Sequence, residues 1–361
     1  MPRQTINPYT NEVLKTFADT TDEEIEQTLT TANKLYHEMK HQTINERAII
    51  LHQIADYLRE HKSELAKVMT LEMGKLISES EGEVELCAII ADYFADHGEA
   101  MLQPTLLHTM ATGEAKIYKH ATGVILAVEP WNFPYYQIMR VFAPNFMVGN
   151  PMILRDAANI PWSAQTFAEM AIKAGAPVGS ITNLFMSYDQ VGQLIADPRI
   201  QGVALTGSER GGSAVAQEAG KNLKKSTLEL GGQDAFIVLD DANMEDVCNI
   251  AWRARLYNSG QVCTSSKRFI VMDQVYDEFL EKLVANFASV KPGDPMDPTT
   301  TLAPMNTKKA KEKLQKQVDE AIAAGATVVY GNESYDLEGQ FFMPTILTDI
   351  TSDNPAAHTE M

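Results

Sequence analysis

Apolar residues recur at helical spacing through most of the first hundred positions and at shorter spacing afterwards. Between Asp22 and Gly98, stretches such as RAIILHQIADYLREHKSELAKVMTLEMG predict three or four helices. The next segment breaks into short pieces whose character alternates around Lys116 to Lys119. This pattern predicts a protruding hairpin over residues 102–122.

Short apolar runs then alternate with helical stretches. The runs include GVILAV, NPMILRD, IQGVALTGS and DAFIVLD, and a typical helical stretch is SAQTFAEMAIKAG. Such alternation predicts βαβ units on a mainly parallel sheet, and therefore an α/β fold. A second set of strands and helices begins near Gly231. We therefore predict one domain built from residues 1–101 and 123–229, and a second domain over 230–361.

Composition narrows the classes of partner. The 361 residues carry 30 Lys and Arg against 48 Asp and Glu, a formal charge of −18, and the acidic residues are spread along the chain. Nucleic acid is therefore not expected as a partner, and an anionic ligand would need local donors such as a helix N-terminus. The start lacks an apolar signal-like core, and no run reaches the ~18 apolar residues of a membrane span. A cytoplasmic protein without a membrane partner is expected.

Residues His37 to His41 read HEMKH, which matches the pattern of a zinc peptidase helix. On a continuous helix the two histidines would share one face, and Glu60 or Glu64 could add a third ligand. The surrounding segment is polar, however, and five-residue patterns recur by chance. Two surface histidines without metal are the favoured interpretation, and a zinc peptidase is kept as a distant alternative.

Three cysteines occur in very different settings. Cys87 and Cys248 lie in apolar helical stretches, where a thiol usually serves as a small hydrophobic side chain. Cys263 lies instead in the polar, glycine-containing run NSGQVCTS. An odd number of thiols without close pairing indicates reduced cysteines. Cys263 is therefore the cysteine whose setting calls for a functional explanation, and a reactive thiol there would have to be accessible and favoured as the thiolate.

Three further motifs follow predicted strands. Glu129 to Pro134 read EPWNFP, which places Asn132 at the carboxyl edge of the sheet, either as an oxyanion donor or within a rigid aromatic turn. The run LTGS followed by Gly211 and Gly212 opens a helix and offers a phosphate site, although its glycine spacing alone is weak evidence for a dinucleotide. In LELGG, an apolar setting would bury Glu229 and make it a general base, unless it is a surface glutamate before a turn.

Taken together, PWNFP, TGS, LELGG and GQVC resemble the NAD(P)-dependent aldehyde dehydrogenase superfamily, and the resemblance covers essentially the whole chain. Within it, the chain is most similar to the bacterial succinate-semialdehyde branch. The resemblance implies a Rossmann-type cofactor domain, a catalytic thiol domain and an oligomerisation hairpin. It implies that Cys263 attacks the aldehyde, that Asn132 and the Cys263 N–H hold the oxyanion, and that Glu229 activates the water that hydrolyses the thioester.

The resemblance also implies a cofactor site. Arg155 stands where the family usually has a ribose-binding lysine, and Ala158 stands where members that prefer NAD often have glutamate. Without a carboxylate at position 158, a 2′-phosphate on the cofactor would meet no repulsion there. The neighbouring Asp156 could still oppose such a phosphate. NAD with some tolerance of NADP is expected. The residues expected to contact the cofactor are Trp131, Arg155, Gly207, Ser208, Gly212, Leu230 and Glu360.

Two residues are expected at the substrate. Arg140, six residues beyond Pro134, matches an arginine that is thought to hold the distant carboxylate of the semialdehyde, and its alternative is a surface arginine. Tyr257 occupies a position where the same branch carries another arginine. The expected substrate is therefore a small aldehyde, with succinate semialdehyde first.

The chain ends in HTEM, where the family has an E-x-F-G-P motif, so Glu360 matches its glutamate. A C-terminally truncated chain is expected from this likeness, with a homodimer or homotetramer if the tail is present. The alternative is a truncated, non-catalytic NAD-binding or scaffold protein.

Overall fold

A computed structural model describes residues 3–110 and 112–361. Its helices are α1 Asp22–Met39, α2 Ile44–Glu60, α3 Lys62–Met73, α4 Ile77–Leu102, α5 Tyr136–Val148, α6 Pro161–Lys173, α7 Tyr188–Ala196, α8 Glu209–Lys221, α9 Met244–Leu256, α10 Tyr276–Ala288 and α11 Lys308–Ala323. Its strands are β1 Arg3–Ile6, β2 Val13–Phe17, β3 Thr105–Leu107, β4 Ala115–Ile117, β5 Val124–Val128, β6 Met152–Arg155, β7 Ile181–Asn183, β8 Ile200–Thr206, β9 Lys225–Glu229, β10 Asp234–Val238, β11 Ser266–Val271, β12 Thr327–Tyr330 and β13 Ile346–Thr348.

The chain divides into two compact units. The first contains residues 15–68 and 81–229 together with the start of the chain, and the second contains 6–14, 69–80 and 230–361. Segments 6–14 and 69–80, which the sequence pattern placed with the first domain, thus belong to the second unit. Periodicity in a sequence carries no information about which core a helix or strand joins.

A five-stranded parallel sheet in the order β7-β6-β5-β8-β9 forms the centre of the first unit. Strand β6 is fully buried and β5 almost so, which agrees with their continuous apolar runs. The chain builds β5, β6 and β7 outward in one direction and then returns to β8 and β9. The switch point lies between β5 and β8, and open α/β sheets bind ligands outside the carboxyl ends of the strands there. The predicted α/β fold is confirmed.

Helices α1 to α4 account for the helical periodicity before residue 102, and capping boxes start two of them. The Thr21 and Thr43 side chains accept from the N–H groups of Glu24 and Glu46, whose carboxylates accept in return. Helix α1 ends at Met39, and the His41 N–H bonds the Glu38 carbonyl in a closing turn. The prediction that the HEMKH histidines share a helix face is therefore wrong, because the helix ends between them.

Strands β3 and β4 pair antiparallel, with Thr105 opposite Ile117 and Leu107 opposite Ala115. Several of their apolar side chains are exposed, including Leu106, Ile117 and the following Tyr118. Position 111 of this segment lies outside the described residues. The role of the hairpin in joining subunits stays a prediction.

The second unit has its own apolar core under the parallel pair β10 and β11. Helices α9 and α10 contribute Cys248, Phe279, Leu283 and Phe287, all nearly inaccessible to solvent. A short antiparallel pair, β12 and β13, supplies Ile346 to the same core. Within the described part of the chain, no helix is long and apolar enough to cross a membrane.

Candidate active site

Three polar side chains lie in one row where strands β5, β8 and β9 end. Val128 pairs with Leu205 and Leu205 with Leu228, and one residue further along Thr206 pairs with Glu229. Glu129 follows Val128 directly. Because residues at the same level of a parallel sheet point to the same face, the side chains of Glu129, Thr206 and Glu229 share one face of the carboxyl edge.

Arg140 of helix α5 reaches this row. Its Nη2 donates to Thr206 Oγ1 at 3.3 Å and lies 3.7 Å from Glu229 Oε2. The guanidinium also stacks over the Tyr136 ring, 5.8 Å from its centroid. The structure thus brings the predicted carboxylate-binding arginine and the predicted base into one ion pair.

Glu229 is not buried. Its side chain is 59% exposed, whereas that of its partner Arg140 is 25% exposed. The expectation that the apolar run LEL buries Glu229 is wrong. The residue is the last of β9, at the open edge of the sheet, so the apolar neighbours in sequence do not enclose its carboxylate.

Glu129 is the buried carboxyl of the row, and its place in EPWNFP did not by itself identify it as a functional residue. It is 2% exposed, and neither carboxyl oxygen has a hydrogen-bond partner of good geometry in the described chain. Burial raises the pKa of Glu129 to about 8, although Thr206 and Arg140 act in the opposite direction. Its place after a fully apolar strand and before proline is the signal that could have identified it.

The turn Glu129 to Pro134 leads from β5 into helix α5. The backbone N–H groups of Tyr135 and Tyr136 donate to Glu83 Oε1 at 2.8 and 3.0 Å, so a buried carboxylate caps the start of this helix. Phe133 packs inside, while Trp131 and Asn132 are half-buried. Because β5 ends at Val128 and α5 begins at Tyr136, Asn132 lies in the turn beyond the carboxyl end of the strand, where the sequence placed it.

The glycine turn after β8 leads into the N-terminus of helix α8. The Gly207 N–H bonds the Glu229 carbonyl at 2.9 Å, and Ser208 caps the helix by accepting from the Gly211 N–H at 3.3 Å. Gly212 is buried in the first turn. A helix N-terminus beside a switch point, approached through small residues, suits the phosphates of a dinucleotide.

At the end of β6 the arrangement of charged residues favours the 2′-phosphate of NADP more than the sequence, with Asp156 next to Arg155, had suggested. The Arg155 guanidinium lies over the Tyr188 ring at 4.9 Å. Asp156 is buried and paired with Arg3 Nη1 at 3.2 Å, and burial raises its pKa to about 6. Ala158 is exposed and carries no charge. Asp156 is therefore neutralised by Arg3 and does not present a free carboxylate.

Cys263 lies in a tight turn of the second unit. The Ser265 N–H bonds the Val262 carbonyl at 3.1 Å, and the thiol residue is half-exposed, whereas Cys87 and Cys248 are buried as predicted. Lys267, whose side chain is 3% exposed, donates to the carbonyl oxygens of Val262, Cys263 and Ser265 at 3.0, 2.7 and 3.2 Å. One ammonium group thus bonds three carbonyls of the turn and holds its backbone in place.

The residues before Cys263 form a strained loop. Asn258, Ser259 and Gly260 all have left-handed backbone angles, with φ of 52°, 54° and 79°. A Cβ on Gly260 would lie 2.8 Å from Arg255 Nη1, which itself donates to the Gly260 carbonyl at 3.1 Å. Glycine is required there. Arg255 and Lys267 were missed in the sequence because a lone basic residue beside an apolar run usually faces solvent.

Glu360 lies in the same unit as Cys263, beside Lys267 and Gly231. Its carboxylate is 3.8 Å from Lys267 Nζ, and a Cβ on Gly231 would overlap it. Leu230, next to this glycine, is half-buried, and Tyr257 is 39% exposed at the start of a short 3-10 helix, Tyr257–Gly260.

The first unit thus brings together Arg140, Glu229 and Thr206, and the second brings together Cys263, Lys267 and Glu360. Both sets are polar and accessible in part. Among the described residues, no group of three or more His, Cys, Asp or Glu side chains is placed to hold a metal ion.

Comparison with known proteins identifies the family. The profile of the "Aldehyde dehydrogenase family" matches residues 2–361. A succinate-semialdehyde dehydrogenase (NADP(+)) from Deinococcus radiodurans is 44% identical over 360 residues, which cover 100% of this chain and 75% of that protein. Its counterpart from Mycobacterium avium is 40% identical over 363 residues, covering 100% of this chain and 77% of the relative.

Solved structures agree. The crystal structure of succinic semialdehyde dehydrogenase from Streptococcus pyogenes, in complex with NADP+, superposes with a TM-score of 0.97 at 56% identity. That match covers 99% of this chain and 79% of the other. The resemblance seen in the motifs is confirmed, and the chain belongs to the aldehyde dehydrogenase family.

Proposed function

We propose that the protein oxidises succinate semialdehyde to succinate with NADP, through a thioester on Cys263. The observation that carries the proposal is a half-exposed cysteine residue on a turn held by Lys267, in a chain whose whole length matches semialdehyde dehydrogenases. Cysteine suits this chemistry because a thiolate adds readily to a carbonyl and the thioester hydrolyses readily.

Each catalytic residue has a task that fits its surroundings. Cys263 forms the C–S bond to the aldehyde carbon. Asn132 and the Cys263 N–H donate hydrogen bonds to the resulting oxyanion. Glu229, an exposed carboxylate beside Arg140, takes a proton from the water that attacks the thioester carbonyl, and the C–S bond then breaks to release the acid.

The residues present fit a nicotinamide dinucleotide. The N-terminus of α8, with Gly207, Ser208 and Gly212, suits the phosphates, while Trp131, Leu230 and Glu360 are proposed as further contacts. Bound cofactor would supply the acceptor for the hydride that leaves the thiohemiacetal carbon. We place NADP before NAD, reversing the order expected from the sequence, because the relatives carry NADP in their names and Arg3 neutralises Asp156.

Arg140 is the proposed ligand of the substrate carboxylate, with Tyr257 as a further polar contact. A guanidinium matches a carboxylate in charge and shape, and Arg140 already lies beside one in Glu229. The distant carboxylate of succinate semialdehyde would therefore compete with Glu229 for this arginine. A neutral aldehyde of similar length would not.

We also propose that the protein works in the cytoplasm as a homo-oligomer joined through the β3 and β4 hairpin. The exposed Leu106, Ile117 and Tyr118 give this hairpin an apolar surface that a second copy could cover. Light scattering during gel filtration measures the mass in solution, and substituting Leu106 and Ile117 by Ser should lower it.

The direct test is NADPH formation with a panel of aldehydes. Wild type should prefer succinate semialdehyde over neutral aldehydes of the same length. Cys263→Ala should form no NADPH while still binding NADP, and Cys87→Ala is the matched control that should remain active. Full activity in Cys263→Ala, or NADP binding without turnover of any aldehyde by wild type, would overturn the proposal.

A further inference from the structure

Lys267 occupies an unusual place for a lysine. Its side chain is 3% exposed, and its ammonium group donates to three backbone carbonyls of the turn that carries Cys263. An ammonium group has three N–H donors, so the three carbonyls satisfy it completely. A lysine used only for solubility would keep its charged end in water.

The three contacts fix the backbone on both sides of the thiol residue. The Val262 carbonyl precedes the peptide that carries the Cys263 N–H, and the Cys263 carbonyl belongs to the next peptide. Both peptide planes are therefore held by the same group. The two backbone dihedral angles of Cys263 cannot change without breaking one of these bonds.

This arrangement also determines where the Cys263 N–H points. In a trans peptide the carbonyl and the N–H are directed to opposite sides. Because the Val262 carbonyl is directed at Lys267, the Cys263 N–H is directed away from it. Within the described residues this N–H donates to no acceptor, so it is available to a ligand.

The charge of Lys267 acts through the same peptide. A cation at a carbonyl oxygen polarises the amide and strengthens its N–H as a donor. Burial lowers the pKa of Lys267, and the Glu360 carboxylate, 3.8 Å from Nζ, acts in the opposite direction and favours the charged form.

We propose that Lys267 is a positioning residue for the oxyanion site: it holds the Val262 carbonyl and thereby aims and polarises the Cys263 N–H. The inference rests on the proposed function, in which this N–H stabilises the oxyanion. In this role Lys267 does not touch the substrate, because its effect passes through the peptide between Val262 and Cys263.

Two reactions of the same thiol distinguish this role from a general structural one. Attack of the thiolate on p-nitrophenyl acetate forms a C–S bond, passes through an oxyanion and expels p-nitrophenolate. Alkylation by iodoacetamide forms a C–S bond and expels iodide without any oxyanion. A positioning residue for the oxyanion site affects the first reaction and not the second.

Lys267→Met should slow the p-nitrophenolate burst and NADPH formation by about 100-fold, the usual cost of one oxyanion donor. Its iodoacetamide rate, compared at the alkaline plateau of each variant, should stay close to that of wild type. Lys267→Arg, which keeps charge and donors, should recover most of the burst rate. Lys282→Met, a partly exposed lysine of α10 paired with Glu278, is the matched control and should behave as wild type.

An unchanged burst rate in Lys267→Met, or an equal loss in burst and alkylation, would overturn the inference. If Lys267→Met does not fold, Lys267→Gln carries the test by the same two criteria, since its shorter amide has no charge and only two N–H donors, too few to hold the three carbonyls. If wild type turns over no aldehyde, the proposed function fails. The burst and alkylation rates then still decide the role of Lys267.

Discussion

The buried carboxyl of Glu129 makes a prediction about stability that can be worked out from its surroundings. Burial raises its pKa from 4.5 to about 8, with Thr206 and Arg140 lowering it and Glu229 raising it. Below pH 4.5 the carboxyl is protonated in both the folded and the unfolded chain. Between pH 4.5 and 8 only the folded chain keeps the proton, so the stability that this group contributes is lost as the pH rises through that window.

The size of the effect follows from the width of the window. Each pH unit over which only the folded state holds the proton is worth about 1.4 kcal/mol, which gives at most about 5 kcal/mol between pH 4.5 and 8. Glu129→Gln removes the titration and keeps the shape. The stability of Glu129→Gln relative to wild type should therefore rise by several kcal/mol between pH 5 and pH 8, whatever fixed cost the new amide brings.

Native-state hydrogen exchange of peptides from β5 and β8 measures the free energy of opening of the first unit. Glu85→Gln is the control, because the pKa of Glu85 is shifted in the opposite direction from that of Glu129. Hydrogen bonds from Arg59 and Lys62 lower it, so Glu85 stays ionised in the folded chain between pH 5 and pH 8. Its difference from wild type should not change between pH 5 and pH 8. If the Glu129→Gln difference is equally flat, Glu129 is ionised in the folded chain and the reasoning is refuted.

Three further variants test the proposed roles. Glu229→Gln should leave the first turnover of NADPH formation fast and slow the steady state by about 100-fold, the range of general-base catalysis, and a normal steady-state rate would argue against the base role. Arg140→Ala should raise the KM for succinate semialdehyde about 100-fold or more and that for butanal little, as loss of a charged hydrogen-bond pair implies, whereas equal losses for both would assign Arg140 to positioning Glu229 instead. Gly231→Ala should weaken NADP binding about tenfold in titration calorimetry, since its Cβ displaces the Glu360 carboxylate, and an unchanged affinity would remove Glu360 from the cofactor contacts.

Local sequence patterns predicted much of this molecule. Apolar runs without alternation identified β5 and β6 because buried parallel strands have no polar face. The turn residues of PWNFP and LTGS were placed correctly after β5 and β8, since the carboxyl ends of parallel strands meet at one edge. The polar setting of Cys263 distinguished it from two buried thiols.

The features that were missed depend on contacts between distant segments. Glu229 looks enclosed in LELGG, but the end of an edge strand leaves its carboxylate open to solvent. Glu129 and Lys267 look like surface charges in sequence, and only the row of strand ends and the turn at Cys263 show that both are buried. Asp156 looked like an obstacle to a 2′-phosphate, and its pairing with Arg3, 153 residues away, could not be read from local sequence.

The thioester on Cys263 is the central claim, and mass spectrometry can observe it directly. Glu229→Gln, mixed with succinate semialdehyde and NADP and quenched with acid after one turnover, should carry a succinyl group on the peptide that contains Cys263. The adduct should be absent without NADP and absent in Cys263→Ala. A succinyl group on Cys87 or Cys248, or NADPH formed at the wild-type rate with no adduct at any time, would contradict the account.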